Sequence, residues 1–131
     1  MGGMETGSRL LCGNAVEANA SKTKGWVVGH MHDGLGKYEG AEVKLWRYEG
    51  PIDYGMKIFS GTEFIVIYGG ELSIAVRHRD ESREIVLRAE MQDYVILPPG
   101  TVKSVKVIRA PAFGVTVRWP SAPDRNKVLP V

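Results

Sequence analysis

Apolar and polar positions alternate with a period near two over most of residues 26–119, and almost nowhere with the period of a helix. The longest apolar run, 63–70 (Glu-Phe-Ile-Val-Ile-Tyr-Gly-Gly), predicts a strand packed on both faces. Its glycine pair would supply the positive φ of a tight turn into 71–74. Upstream, 26–30 predicts a first strand and 41–48 a second. The second strand carries Val43, Leu45 and Arg47 on one face and Lys44, Trp46 and Tyr48 on the other; one of these faces walls a pocket, and the pattern does not choose between them. A short strand is expected at 56–59, and further strands at 72–78, 84–88, 93–97, 102–108 and 113–119, with a solvated hairpin tip at 77–81. Pro98-Pro99-Gly100 reads as a rigid turn, because proline fixes φ and removes a ladder donor. Lys103, Val105 and Val107 share one face of their strand, and Phe113, Val115, Val117 and Trp119 one face of the last. About eight short strands punctuated by Gly and Pro predict an all-β sandwich or barrel.

The ends differ in composition. Residues 1–24 are rich in Gly, Ala, Ser and Asn and read as a mobile arm, with a short helix allowed near 8–20 and Gly13 counting against it; 121–131 read as a Pro-rich tail, unstructured or draped. A chain of 131 residues fits one domain with a real core. Its 17 Lys and Arg nearly balance 15 Asp and Glu, which argues against nucleic acid or an anionic membrane as partner. The arginines Arg77, Arg79, Arg83 and Arg88 are interleaved with Asp80, Glu81 and Glu84, so they make no basic patch. Cys12 is the only cysteine, which excludes an internal disulfide and fits a reducing compartment. No stretch is long enough for a membrane span and no signal-peptide order opens the chain, so the expected location is cytoplasmic.

Two half-motifs give the pattern a family likeness. Glu63, six residues and Gly70 match the second half of the first motif of the cupin family, and Pro98-Pro99-Gly100, led in by 93–97, matches the centre of the second. The chain therefore resembles cupins, which implies a double-stranded β-helix or jelly-roll barrel over 25–120, a short N-terminal arm, and homodimerisation. The departures from the motif bear on function. Lys57 and Phe59, or Met56 and Ile58 by the alternative spacing, stand where the family's paired histidines belong, Lys103 stands at the third histidine and Val107 at the asparagine. Only Glu63 survives of four ligands, and a carboxylate among ammonium groups is a poor metal site, so neither a metal nor another cofactor is expected.

Alternation gathers Lys57, Phe59, Glu63, Ile65, Lys103 and Val105 into one candidate ligand pocket. A buried carboxylate needs a partner, so Glu63 is expected to pair with Lys103 or Lys57, an ammonium standing near the place of the lost metal. The remaining lysine would then hold an anionic group of a small molecule; in the bland version both lysines snorkel to the barrel mouth. A runner-up reading is a metal-independent isomerase, epimerase or lyase, with a desolvated lysine as base or nucleophile. In a third, the barrel is filled by its own side chains, which pocket volume would reveal, ligand sites usually needing ~300 Å³ or more. His30-Met31-His32 has the His-x-His form, but the six residues before Glu39 are the wrong spacing, and His30 reads as a packed strand end. His78 falls at the hairpin tip, and Cys12 has no base motif beside it.

Overall fold

The structure, a computed structural model, describes residues 10–52, 55–121 and 126–128, the last three by backbone alone. The first nine residues of the expected arm, and 122–125 and 129–131 of the expected tail, lie outside the described residues. Its elements are helix α1 (Ala15–Ala20) and strands β1 (Trp26–Val28), β2 (Glu42–Tyr48), β3 (Lys57–Phe59), β4 (Thr62–His78), β5 (Glu81–Arg88), β6 (Tyr94–Leu97), β7 (Thr101–Trp119) and β8 (Asn126–Val128).

Two long antiparallel strands organise the molecule. The first half of β4 pairs with β6 on one side and the second half of β7 on the other, which continues through β2 to β1. The second half of β4 pairs with β5 and with the first half of β7, which continues through β3 to β8. Two five-stranded layers, β1-β2-β7-β4-β6 and β8-β3-β7-β4-β5, thus share β4 and β7 in a jelly-roll arrangement. Between the layers lie Trp46, Ile65, Ile67, Leu72, Ile74, Leu87, Leu97 and Val107, of which Ile67, Ile74 and Leu87 are essentially sealed from solvent. No helix among the described residues is long and apolar enough to cross a membrane.

The crossing point differs from the sequence expectation. Gly69-Gly70 does not reverse the chain; β4 runs straight through it, with the register against β7 slipping between Ile67 and Leu72. Such slippage bends a strand while keeping it in the sheet. Gly70 takes φ +74°, and a Cβ there would lie 2.3 Å from the Arg109 carbonyl oxygen. The chain reverses at Arg79-Asp80, within the hairpin tip expected at 77–81, between paired His78 and Glu81, with Arg79 at φ 54°. Likewise 102–108 and 113–119 are one strand rather than two.

The chain ends are also more tied down than their composition suggests. Asn14 caps α1 by accepting from the Glu17 amide at 2.9 Å, so Gly13 precedes the helix instead of interrupting it. Asn19 Nδ2 donates to the Leu45 carbonyl at 2.6 Å and fastens the helix to β2. In the tail, Asn126–Val128 extends the second layer against Lys57–Phe59.

Candidate functional site

Strand pleating places Glu42, Lys44, Trp46 and Tyr48 toward the barrel interior and Val43, Leu45 and Arg47 outward. On β7 the inward set is Ala112, Gly114, Thr116 and Arg118. The apolar alternation of Phe113, Val115, Val117 and Trp119 belongs to the outer face, so the strongest hydrophobic signal of the last strand marks the side away from the site.

The centre of the site is Glu63, 2% exposed. Its Oε1 accepts from Lys103 Nζ at 2.5 Å and its Oε2 from Arg118 Nε at 2.7 Å. The pairing expected with Lys103 or Lys57 is therefore made with Lys103, and neither Lys103 nor Glu63 reaches out to solvent. Register explains the second partner: Arg118 lies opposite Glu63 on β4 and opposite Glu42 on β2, so one guanidinium stands between two carboxylates on the same face. Its Nη1 is 3.6 Å from Glu42 Oε1, and the Trp26 and Phe59 rings stack beside it at 4.8 and 5.0 Å. Glu42 is held further by Ser121 Oγ at 3.1 Å, which also contacts His30 Nδ1 at 2.7 Å. His30, expected as a packed strand end, lies two residues beyond β1 in a turn and is a partner of this network, while His32 turns to the Trp26 carbonyl.

Burial alone would push the Glu63 carboxyl up, but Lys103 and Arg118 together hold it below the usual carboxylate range. Burial lowers Lys103, as does Arg118, against the pull of Glu63 in the opposite direction. Lys57 is lowered by burial and by Arg118. Lys44 is lowered to about 8, by burial first and then by Arg118, Lys57 and Lys103.

These side chains enclose a cavity of about 60 Å³. Of the six residues grouped by alternation, Lys57, Glu63, Ile65, Lys103 and Val105 line it; Phe59 does not, being packed behind Arg118. Of the two faces of 41–48 left open by the pattern, the one with Lys44, Trp46 and Tyr48 walls the cavity, and Thr116 and Arg118, which the sequence did not single out, join it from β7. Four cations, Lys44, Lys57, Lys103 and Arg118, face a single lining carboxylate, Glu63. Trp46, 3% exposed and stacked on Tyr48, keeps its indole Nε1–H without an acceptor among the described residues.

This donor set does not suit a divalent cation. Both Glu63 oxygens are already taken by cations, and among the described residues no three His, Cys, Asp or Glu side chains converge. What it suits is an acceptor carrying negative charge.

No protein-family model matches the chain, and no curated protein gives a significant match. Solved structures do resemble it. Oxalate oxidase in complex with the substrate analogue glycolate superposes with a TM-score of 0.58 at 15% identity, covering 69% of this chain and 46% of that one. The capsular polysaccharide assembling protein CapF of Staphylococcus aureus gives 0.55 at 18% identity over 71% of this chain and 27% of that one. Oxalate decarboxylase from Bacillus subtilis gives 0.54 at 13% over 70% and 24%. The chain thus spans less than half the length of each. At these identities the likeness is one of fold, a mostly antiparallel β-barrel of jelly-roll type.

Proposed function

We propose that this chain, which has the cupin fold, binds a compact anion in its barrel without a metal or other cofactor. The observation that carries the reading is the charge imbalance of the cavity, where Lys103 and Arg118 are compensated by Glu63 and Glu42 while Lys44 adds a further cation with no carboxylate within salt-bridge reach among the described residues. An acceptor-only ligand would relieve that repulsion and give the Trp46 N–H a partner.

Size restricts the ligand. The cavity, at about 60 Å³, falls well below the ~300 Å³ of ordinary ligand pockets, because Trp46, Tyr48 and the lysine and arginine stems fill much of the barrel. At roughly 10–15 Å³ per water-sized sphere it admits a group of only a few heavy atoms, such as a small carboxylate, carbonate or nitrate. The filled-barrel alternative shares the small volume but leaves the surplus charge without a purpose. The metal-independent enzyme reading is favoured by one observation, the lowered Lys44.

Melting temperature measured against acetate, oxalate, carbonate, nitrate and phosphate, at ionic strength matched with chloride, tests this reading. At least one of these anions should raise it in a saturable manner, by an amount set by concentration over Kd. Lys44 is cationic below about 8 and neutral above, so the stabilisation should weaken as pH rises through that value, and Lys44→Met should weaken it at pH 7. A panel in which every anion behaves as chloride does would refute the proposal.

A cytoplasmic setting, with no nucleic-acid or membrane partner, fits the lone Cys12 and the near-neutral charge. Homodimerisation belongs to the same proposal. Its support is the outer face of the first layer, where Tyr68, Tyr94, Ile96 and Trp119 are each at least 40% exposed beside half-buried Phe64, Val66, Val115 and Val117. Sedimentation should show a dimer that Tyr94→Asp converts to monomer; a wild-type monomer at all working concentrations would exclude it.

A further inference from the structure

We propose that Lys44 is a covalent site, an amine that condenses with the carbonyl of a compact 2-oxo acid or aldehyde acid held in the barrel to form a Schiff base. The inference rests on the anion reading above and adds to it a reacting atom.

Placement sets Lys44 apart from the other lysines. It lies mid-strand on β2, directly opposite Thr116 of β7 on one side and Trp26 of β1 on the other, and its side chain lines the cavity. Its Nζ rests 5.6 Å from the centre of the Trp26 ring and, among the described residues, has no carboxylate within salt-bridge reach. Lys103 is committed to Glu63 at 2.5 Å. The charged groups that bear on Lys44 are Arg118 and Lys103 from β7, Lys57 from β3 and Glu63 from β4, three cations against one anion. That surrounding field and the loss of hydration both favour the neutral amine, and bring its pKa to about 8.

The same field prepares the other reactant. A ligand with a carboxylate next to a carbonyl brings its charge into this cation-lined cavity, which places its electrophilic carbon within the same small volume as the amine. Glyoxylate and pyruvate have only five and six heavy atoms respectively, within what the cavity admits by the estimate of about 10–15 Å³ per probe sphere. In the step, the Nζ lone pair forms a bond to the carbonyl carbon, and the carbonyl oxygen departs as water with the two amine protons. A proton from solvent then gives the iminium, with no net oxidation or reduction.

Borohydride trapping tests this on the unmodified full chain, with glyoxylate or pyruvate as probe and intact mass and peptide mapping as readout. Near neutral pH a lysine with the lowered pKa has on the order of a hundredfold more free amine than an ordinary one. Reduced adduct should therefore accumulate to one equivalent at Lys44, on the order of tenfold or more faster than at exposed Lys22, Lys24 or Lys106. It should be suppressed by excess of whichever anion stabilises the protein, and be lost in Lys44→Arg. Adduct scattered over surface lysines, or mapping to Lys57 or Lys103, overturns the assignment, and because the wild-type map alone decides this, a poorly folding variant does not blunt the test. If anions stabilise the protein but nothing is trapped at Lys44, the covalent step fails and the binding reading stands. If acetaldehyde, which has no charge, is trapped at Lys44 as fast as glyoxylate, the amine is reactive but the anion reading fails, and with it the stated substrate class.

Discussion

Replacing Glu63 with glutamine is expected to destabilise the folded chain by about 3–5 kcal/mol at pH 7, the usual cost of stranding a buried charge. The glutamine still fills the space and can still accept from Arg118. It cannot neutralise Lys103, 9% exposed, whose ammonium would face an amide in a cavity already rich in cations. Lys103→Met should cost less, since Arg118 would still cover the carboxylate at 2.7 Å. The pH dependence has a definite sign. The Glu63 carboxyl sits below its unfolded value, so its contribution is complete above the ordinary glutamate range and is lost as pH falls through the lowered folded value. Lys44 and Lys103 lie below their unfolded values too, so between about 8, for Lys44, and the ordinary lysine range the unfolded chain holds more protons and stability rises with pH. Urea unfolding of wild type and Glu63→Gln from acid to alkaline pH measures both. A loss under ~1 kcal/mol at pH 7, with an unchanged denaturant slope, would mean that the pair is worth no more than a surface ion pair.

Gly70→Ala should be nearly as damaging, by about 3 kcal/mol or more, although it adds a single carbon. The residue would be held at φ +74°, a conformation costing an L-residue roughly 1–2 kcal/mol. The new Cβ would also meet backbone on two sides, the Arg109 oxygen at 2.3 Å and the Pro111 oxygen at 2.5 Å, so β7 would have to move away from the bend. Gly100→Ala supplies the comparison: φ is +81° there too, but a Cβ meets nothing within 4 Å. It should show the conformational cost alone, about 1–2 kcal/mol. Equal losses at the two positions would show that the close approach at Gly70 costs nothing.

That bend was the part of the fold hardest to read. A glycine pair after an apolar run carries the same local signature whether the chain reverses or merely kinks, and only pairing with β7 on both sides of the pair separates the two. The strand content and the single surviving acid were legible because alternation and spacing are local. A pair between Glu63 and either Lys103 or Lys57 followed from them, without a choice between the two. Arg118 did not follow, and the face of Lys44 stayed open, since each is fixed by cross-strand register, Arg118 against Glu42 and Glu63, Lys44 against Thr116. The alternation of Phe113, Val115 and Val117 could not by itself say which face is inward, because the first layer is apolar on its outer face as well.

Because β4 and β7 run through both layers, neither layer can come apart while the other stays closed. Their pairing extends from Arg77 with Val102 at the near end to Thr62 with Trp119 at the far end, contacts distant in sequence that reward the chain only after long loops have closed. The β4–β5 hairpin, closed by the two-residue turn at Arg79-Asp80, is the local piece expected to form first, and the arrival of β7 on it should be the slow event of folding. Amide protons along the shared length of the two strands should consequently exchange with solvent only when the whole barrel opens, all with one common opening free energy.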